Sequence, residues 1–482
     1  MLRQILLISF ITLSTLVLTS CETTQSLFNQ GPSSQSTPVD AHPTVVNLQG
    51  FPNDPAFWQA DTTTVWNKLQ HVSLPELNNA AIQAADPNIS GWIKLAIVSK
   101  QYSTNDAQLT QQLIAWRLAN PSHPANSLFP DNSTLTQLQN TKRPQHIVLL
   151  LPLTGNLGSA GQAVRNGFIS AYYASGNKNQ QTVSFIDTNG SQPIDALYGQ
   201  ALAEGADAVI GPLTKQNAQE LAKRGGFSVP TIALNYTDIW FGSLPTNFYE
   251  FGLSPLDEAK QLAEKASQSG HKRAIIIAPQ DEWGQRVTKT LIANWGALGG
   301  TVTDTLYFNS HTDLNQSIPQ LLHVDVSADR KQMKNNNDKN ALENQRRQDF
   351  DVIFLLASPQ SARQIVPLLK YYYADKIPIF STSVIYSGTP SPQRDSDLNG
   401  VTFSDTPWSL SRTNSGESGE DDLRASRLYP VGRDAYMLIN QISRLKILAN
   451  FPIYGATGAL TLTPQQQIYR RVAWVQMHNG RP

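Results

Sequence analysis

The sequence predicts an α/β protein: a two-lobed body with parallel sheets, preceded by a small all-α domain of helical hairpins. Between residues 145 and 482, short apolar runs alternate with amphipathic segments of about 10–15 residues, the pattern of parallel strands joined by helices. The strands are too many for one compact sheet, which indicates two lobes. Between residues 55 and 125, apolar residues recur at helical spacing.

The first 20 residues predict a lipoprotein signal peptide. Arg3 supplies positive charge, and residues 5–18 form an apolar core that is too short to span a membrane comfortably. The chain's only cysteine, Cys21, ends a Leu-Thr-Ser-Cys tetrad directly after this core. The tetrad resembles the lipobox of bacterial lipoproteins, which implies cleavage before Cys21 and acyl chains on its sulfur and amine. An ordinary signal peptide with an incidental cysteine is the alternative.

Acyl chains on Cys21 would hold the protein at a membrane, because each buried methylene contributes about 0.8 kcal/mol. Glu22 follows, whereas aspartate at that position favours the inner membrane in lipoproteins, so the resemblance implies the outer membrane. Residues 21–50 are rich in Ser, Thr, Gln, Pro and Gly and lack apolar periodicity, which predicts a disordered tether. Its mean span would be about 30 Å, and its extended length about 100 Å.

Residues 55–125 predict a small, TPR-like domain of helical hairpins, whose first helix opens with a capping box at 73–76. The predicted helices cover residues 74–85, 89–100 and 106–118. Two Trp-x-Lys-Leu clusters begin 26 residues apart, unlike the repeat of about 34 in tetratricopeptide proteins, so a repeat is not established. The tryptophans are interpreted as core anchors, or in part as a protein-binding face. They are Trp58, Trp66, Trp92 and Trp116. Residues 126–145 are expected to form a polar connection.

The stretch from 146 to 174 predicts a buried strand, a glycine-rich turn and a helix. Residues 147–151 are a continuous apolar run, as in a strand buried on both faces, and Pro152 ends the run. Glycines at 155, 158 and 161 have a G-x-x-G-x-x-G spacing that differs from the G-x-G-x-x-G of dinucleotide sites. We interpret them as allowing a tight turn and close helix packing, with a ligand-cradling turn as the alternative.

The alternation continues along the rest of the body. Strands are predicted at residues 182–187, 208–211, 231–234, 273–278, 302–308, 351–357 and 378–381. Helices are predicted at residues 193–204, 215–223, 255–267, 283–297, 361–372 and 433–448. Two segments, 324–348 and 411–422, break the pattern and are polar. The Asn-rich run at 334–340 is expected to form an exposed loop, with a partner-binding arm as the alternative.

The composition argues against several classes of function. Lys plus Arg and Asp plus Glu both number 37, so no net charge favours a nucleic-acid partner. Zinc-protease, serine-hydrolase and phosphate-loop motifs are missing, and the eight histidines form no metal-ligand pair. Asp187, Asp281 and Glu282 lie at predicted strand ends, where capping and turn roles explain them. We expect a binding or regulatory protein that is not an enzyme and holds no cofactor or metal.

Several motifs resemble one protein family. The 146–174 stretch is similar to the opening of a type I periplasmic-binding-protein fold, and a wider set of motifs resembles the LpoA (LppC) family of penicillin-binding protein activators. These motifs are Trp116-Arg117 with His123-Pro124-Ala125, residues 149–173, Gly211-Pro212-Leu213, Ala233-Leu234-Asn235, Arg427-Leu428-Tyr429, Gly432-Arg433-Asp434-Ala435-Tyr436, Gly455-Ala456-Thr457-Gly458, Arg470-Arg471-Val472-Ala473-Trp474 and Asn479-Gly480. The resemblance covers about residues 55–482.

The resemblance implies an outer-membrane lipoprotein that faces the periplasm. It implies that the protein binds a bifunctional class A penicillin-binding protein and stimulates its peptidoglycan synthesis, chiefly transpeptidation. The predicted helical domain at 55–125 is shorter than is usual in the family, so the reach of the tether or the partner contact would differ.

The alternative function is that of a lipid-anchored receptor for a small polar ligand such as an amino acid. Ligands of open α/β sheets lie at the carboxyl ends of strands, and residues at those positions would line the cleft between the lobes. They are Thr154, Gly155, Gly158, Gly211, Asn235 and Tyr236. Trp240 and Phe241 follow them and would either fill the cleft or leave it open. A peptidoglycan-cleaving enzyme is a third hypothesis, which the missing catalytic motifs disfavour.

Overall fold

The computed structural model describes residues 51–176, 181–237, 244–325, 346–414 and 426–482. The predictions for the signal peptide, Cys21 and the tether therefore lie outside the described residues. So do those for Trp240, Phe241, the run at 334–340 and most of the polar segment at 411–422. Within the described ranges, no helix combines the length and the apolar character that crossing a membrane requires.

Short helices with polar caps make up the amino-terminal part. They are α1 (Pro55–Trp58), α2 (Thr62–Leu69), α3 (Leu74–Gln83), α4 (Pro87–Gln101), α5 (Asp106–Ala119) and α6 (Asn132–Gln139). The predicted capping box is confirmed: the Ser73 hydroxyl accepts a hydrogen bond from Glu76 N at 3.3 Å, and the Glu76 carboxylate accepts one from Ser73 N at 2.9 Å. The expectation of a merely polar connection at 126–145 is wrong, because α6 lies there and buries Leu135 and Leu138.

The helical part has an apolar core to which the other end of the chain contributes. Trp66, Trp92 and Trp116 are buried in it, as the interpretation as core anchors predicted, and Trp58 packs against its edge. Phe451 belongs to the same cluster, and its ring centroid lies 4.9 Å from that of Trp66. The helical part is therefore packed onto the α/β body.

Strands and helices alternate over most of the body. The strands are β1 (His146–Leu151), β2 (Thr182–Asp187), β3 (Ala208–Ile210), β4 (Thr231–Ala233), β5 (Phe248–Glu250), β6 (Arg273–Pro279), β7 (Thr301–Phe308), β8 (Val352–Leu355), β9 (Ile379–Ser381), β10 (Thr402–Asp405), β11 (Ile453–Tyr454), β12 (Ala459–Leu462), β13 (Ile468–Arg471) and β14 (Ala473–Gln476). The helices are α7 (Gly158–Ala174), α8 (Ile194–Ala203), α9 (Lys215–Ala222), α10 (Pro255–Gln268), α11 (Glu282–Ala297), α12 (Leu314–Leu321), α13 (Pro359–Leu369), α14 (Pro392–Asp395), α15 (Pro407–Asn414) and α16 (Leu428–Ile447).

Two main sheets divide the body into two lobes. The first sheet has the order β2-β1-β3-β4-β5 and is parallel throughout. The second has the order β14-β10-β9-β8-β6-β7 and is parallel except for β14, which runs antiparallel to β10. Strands β11 to β13 form a small antiparallel sheet whose apolar residues join α16 in the core of the first lobe. Two lobes with parallel sheets are thus confirmed, and the antiparallel strands were not predicted.

The chain passes between the lobes at several points. It leaves the first lobe at residues 251–254, returns between Asp405 and Leu428, and leaves it again between Arg471 and Ala473. These passages lie next to the carboxyl ends of β5, β10 and β13. The polar residues around them form the boundary between the lobes.

Candidate functional site at the lobe boundary

The loops after β1 and β2 are joined by hydrogen bonds around Asp187. Thr154 Oγ1 donates to Asp187 Oδ2 at 2.6 Å, and Leu153 N donates to Asp187 Oδ1 at 2.8 Å. Asn189 Nδ2 donates to Thr154 Oγ1 at 3.1 Å. Burial raises the pKa of Asp187, but the hydrogen bonds outweigh burial and hold the pKa below its usual value. Asp187 is therefore a charged turn residue, as predicted, and Thr154 lies beside it at the surface.

The three glycines after β1 have different surroundings. Gly155 is exposed and has a φ of 68°, and a Cβ there would lie 2.4 Å from Asn189 Nδ2. Gly158 and Gly161 are buried, and a Cβ on Gly161 would lie 2.0 Å from Pro152 O. The turn and the close packing of α7 on the end of β1 account for these glycines. Ligand binding by this turn stays a prediction.

The carboxyl ends of β3 and β4 hold the other residues predicted for the cleft. Gly211 is buried, has a φ of 105° and precedes a cis peptide bond. Asn235 Nδ2 donates to Leu213 O at 3.1 Å. The Tyr236 hydroxyl donates to Ile468 O on β13 at 2.9 Å, and burial raises the pKa of this phenol. Since β1, β3 and β4 are parallel neighbours, all six predicted residues lie at one edge of the first sheet.

An ion pair that the sequence analysis did not predict joins the lobes. Arg470 Nη2 on β13 lies 2.8 Å from Glu258 Oε1 on α10, and both side chains are buried. Gln261, one turn further along α10, donates to Arg470 O at 3.0 Å and accepts from Val472 N at 2.9 Å. Helix α10 of the second lobe is therefore fastened to the strand that leaves the first lobe.

A second ion pair lies where the chain returns to the first lobe. Arg427 donates to both oxygens of the buried Asp405 carboxylate, at 2.9 and 2.6 Å. The attraction of Asp405 outweighs the effect of burial on Arg427 and raises the pKa of its guanidinium, which stays charged. Arg427 also donates to Ser383 O and Tyr386 O, at 2.9 and 2.8 Å. Because Ser383 N donates to Glu258 Oε2 at 3.1 Å, the two ion pairs form one network.

The network reaches the first lobe through a buried carboxylate on α16. Asp434 accepts hydrogen bonds from Ala456 N at 2.6 Å, Thr457 N at 2.7 Å and Thr457 Oγ1 at 2.6 Å. Burial raises the pKa of Asp434 to about 6, in spite of these hydrogen bonds. Thr457 O in turn accepts from Arg470 Nη1 at 3.2 Å. A continuous polar path therefore runs from α16 across the boundary to β10.

Some signals of this network were present in the sequence. Glu258, Gln261 and Lys265 are three to four residues apart and place polar groups on the buried face of α10. A polar stripe on the face that should be apolar indicates buried partners. The motifs around Arg427, Asp434 and Arg470 are among those that carry the family resemblance. Their local sequence did not indicate that these three side chains belong to one hydrogen-bonded network.

The network connects elements of both lobes through hydrogen bonds and ion pairs. Its carboxylates accept hydrogen bonds from backbone N–H groups, a threonine hydroxyl and guanidinium groups. Across the ranges that the structure describes, no group of His, Cys, Asp and Glu residues suits a metal ion. The ion pairs and hydrogen bonds at this boundary hold the two lobes in a fixed relative position.

A family model matches nearly all of the chain. The model of the family described as LppC putative lipoprotein matches residues 7–480. The chain belongs to the LppC family. The protein named penicillin-binding protein activator LpoA from Photobacterium profundum is 27% identical to this LppC-family chain over 428 residues, which are 87% of the chain and 69% of the relative.

Solved structures resemble the two-lobed body of this LppC-family chain. The Haemophilus influenzae LpoA (YraM) C-domain, described as a regulator of PBP1A, is 25% identical with a TM-score of 0.52 and covers 70% of this chain and 98% of its own. A putative branched-chain amino acid ABC transporter from Chromobacterium violaceum ATCC 12472 is also 25% identical, with a TM-score of 0.52 over 69% of this chain and 100% of its own. The predicted family and the periplasmic-binding-protein type of fold are confirmed.

Proposed function

We propose that this LppC-family chain binds a class A penicillin-binding protein and activates it, stimulating the transpeptidation step of peptidoglycan synthesis. The observation that carries the proposal is the match, over 87% of the chain, to a relative named as a penicillin-binding protein activator. The similar C-domain structure, described as a regulator of PBP1A, supports the same class of partner.

Activation of this kind needs a contact on the activator and no reaction. A protein that binds the competent state of a synthase more tightly than its other states shifts the equilibrium by the difference in affinity, typically about 1–3 kcal/mol. The buried pairs Glu258–Arg470 and Asp405–Arg427 tie the lobes together. A body whose lobes are held together in this way offers the partner a constant surface. Since binding through that surface is sufficient for activation, the proposed regulator needs no enzymatic activity.

The proposed location is the outer membrane, on the side that faces the periplasm. The sequence features that support it are the lipobox-like tetrad ending at Cys21 and the Glu22 that follows. Two or more acyl chains on one residue give stable anchoring, and the tether at 21–50 is long enough to hold the body well away from the membrane.

A lipid-anchored receptor for a small polar ligand is the second candidate, favoured by the similarity to a putative amino acid transporter component. Two of the residues predicted for the cleft are used within the protein, because Asn235 bonds to Leu213 and Tyr236 bonds to Ile468. A receptor should gain thermal stability as its ligand is added. Unchanged melting temperatures across the amino acids would argue against this candidate.

A pull-down tests the leading proposal. The full lipoprotein, immobilised through a carboxyl-terminal tag, is incubated with detergent extracts whose penicillin-binding proteins carry a fluorescent penicillin. We expect class A synthases to be retained and the monofunctional transpeptidases to pass through. An unrelated outer-membrane lipoprotein serves as the control bait. If both baits retain the same bands, the proposed partner is wrong.

A further inference from the structure

A surface groove on the second lobe has a composition that the proposed contact with a synthase does not explain. Its volume is about 540 Å³, within the range of about 300–1,000 Å³ that small-ligand sites occupy. It is lined by Ser358, Pro359, Gln360, Arg363, Ser387, Thr389, Pro390, Ser391 and Arg394. The lining comes from the start of α13, from the segment that leads into α14, and from α14 itself, which carries Arg394. It includes none of the six residues predicted for the cleft.

Among the described residues, the groove has one arginine with a carboxylate partner and one without. Arg363 and Arg394 are its charged lining residues. The carboxylate of Asp395, next in sequence to Arg394, is buried and already has partners. Arg363 Nη2 and Nε donate to it at 2.6 and 3.1 Å, and Ser391 N donates to it at 3.1 Å, so Arg394 is the lining arginine without a carboxylate partner in the part of the chain that the structure describes. Because Asp395 holds two nitrogens of Arg363, the guanidinium has a fixed orientation.

Both arginines keep donors available. Within the described part of the chain, Arg363 Nη1 has no hydrogen-bond partner. The exposed side chain of Arg394 makes neither a hydrogen bond nor an ion pair there, although its backbone N donates to Ser391 O at 2.9 Å. Thr389 and Gln360 add an uncharged hydroxyl and an amide to the groove lining. Two guanidinium groups beside uncharged donors and acceptors match a carboxylate carried on a peptide, since guanidinium binds carboxylates with two parallel hydrogen bonds.

We propose that this groove binds the carboxylate-bearing stem peptide of peptidoglycan. The inference rests on the proposed function, which places the protein beside newly made cell wall. Among the lining residues that the structure describes there is no aromatic ring on which a sugar could stack, and the two prolines are the only apolar side chains for an acyl chain to contact. The recognised part is therefore the peptide, with Arg363 and Arg394 on its carboxylate and Pro359 and Pro390 against its aliphatic side chains.

Calorimetric titration of the full protein in detergent tests this assignment. The probe is a disaccharide tetrapeptide released from purified cell wall by a muramidase. Three further probes are the same compound with amidated carboxylates, the disaccharide without peptide, and inorganic phosphate. We expect binding of the first probe alone. Arg394→Gln should weaken it about tenfold, the usual effect of losing a charged hydrogen bond, and Arg394→Lys should restore part of the affinity.

The control is Lys289→Gln, which removes one positive charge from the exposed side of α11, away from the groove lining. Arg394→Gln and Lys289→Gln should both retain the class A synthase in the pull-down. Failure of the groove proposal can therefore be told apart from failure of the proposed activation of a synthase. The assignment is overturned if the tetrapeptide does not bind, if phosphate binds as tightly as the tetrapeptide, or if both variants weaken binding equally. It is also overturned if Arg394→Gln loses the synthase while no variant affects the tetrapeptide.

Discussion

Gly161 allows α7 to lie directly against the end of β1. A Cβ at this position would lie 2.0 Å from Pro152 O, a backbone atom that cannot turn aside. Gly199, inside α8, offers the opposite case, because no atom lies within 4 Å of the place where its Cβ would be. The same substitution should therefore change stability in opposite directions at the two positions.

Replacing Gly161 with Ala should lower the free energy of unfolding by about 1–3 kcal/mol or more, since helix and strand must move apart. The matched control, Gly199→Ala, should raise it by about 0.5–1 kcal/mol through the better helix propensity of alanine. Urea denaturation followed by circular dichroism measures both changes. Equal effects at the two glycines would contradict the proposed packing.

Asp434 should make stability depend on pH. Burial raises its pKa in the folded state from 3.8 to about 6, so the folded protein binds this proton more tightly than the unfolded chain. The contribution is fully present below pH about 4 and is lost as the pH rises through about 6, a total of up to about 3 kcal/mol.

The measurement is the free energy of unfolding of the natural protein minus that of Asp434→Asn, from pH about 3 to about 7.5, the window that spans both pKa values. This difference should fall with rising pH, because asparagine does not titrate and the other groups cancel. A difference that stays constant, or that grows, would show that Asp434 does not carry the shifted pKa.

At the scale of elements, the local sequence was sufficient to predict a helix or strand that has its own cap or apolar pattern. The predicted helix at 106–118 and strand at 182–187 correspond to α5 and β2, because Asn105 caps the helix and β2 pairs with the apolar β1. Several strands of two to four residues, such as β11 and β14, were missed. Strand β14 owes its existence to pairing with β10, and short polar-apolar runs give no period to detect.

The lobe-boundary network was missed for a related reason. Glu258 and Arg470 are 212 residues apart in sequence, and Asp434 and Thr457 are 23 apart. Local patterns predict burial of apolar side chains, whereas a buried charge depends on a partner that the fold brings from elsewhere. The residues at strand ends could be predicted because parallel strands share one carboxyl edge.

Breaking the ion pair between Glu258 on α10 and Arg470 on β13 should lower the free energy of unfolding substantially. Arg470→Gln leaves Glu258 buried without its guanidinium partner, and we expect a loss of about 3–5 kcal/mol in the free energy of unfolding. The double variant Glu258→Gln with Arg470→Gln removes both charges and should be less destabilised than the single variant.

The control for that experiment is Lys223→Gln, which breaks an exposed pair with Glu220 at 2.7 Å and should cost at most about 1 kcal/mol. Guanidinium chloride denaturation compares the three variants. If Arg470→Gln costs no more than Lys223→Gln, the boundary pair does not hold the lobes.

At the scale of the whole molecule, the helical part and the α/β body share structure. Trp66 Nε1 donates to Asn450 O at 2.6 Å, and Asn450 Nδ2 donates to Leu128 O at 2.9 Å. Gln441 Nε2 on α16 donates to Thr104 O at 3.0 Å. Phe451 also lies in the core of the helical part. Together, these contacts join the helical part to α16 and to the segment that follows α16. The helical part and the body should therefore unfold as one.

Phe451→Ala tests this joint folding. The fully buried ring contacts Trp66 and Phe129, with centroid distances of 4.9 and 5.6 Å, so its removal should cost about 3–5 kcal/mol. Scanning calorimetry should show a single transition at a lower temperature. The control Leu118→Ala removes an exposed side chain from α5 and should leave the transition in place. Two separate transitions in the variant would contradict joint folding.

The central claim is that this LppC-family protein works on a synthase by contact. The most direct measurement is the fraction of cross-linked peptides made from lipid-linked precursor by a purified class A penicillin-binding protein, with and without equimolar full-length protein. We predict a cross-linked fraction that rises with added protein and saturates at equimolar ratio, while the protein alone leaves the precursor unchanged. A fraction that stays the same at every ratio, or precursor consumed by the protein alone, would contradict the account.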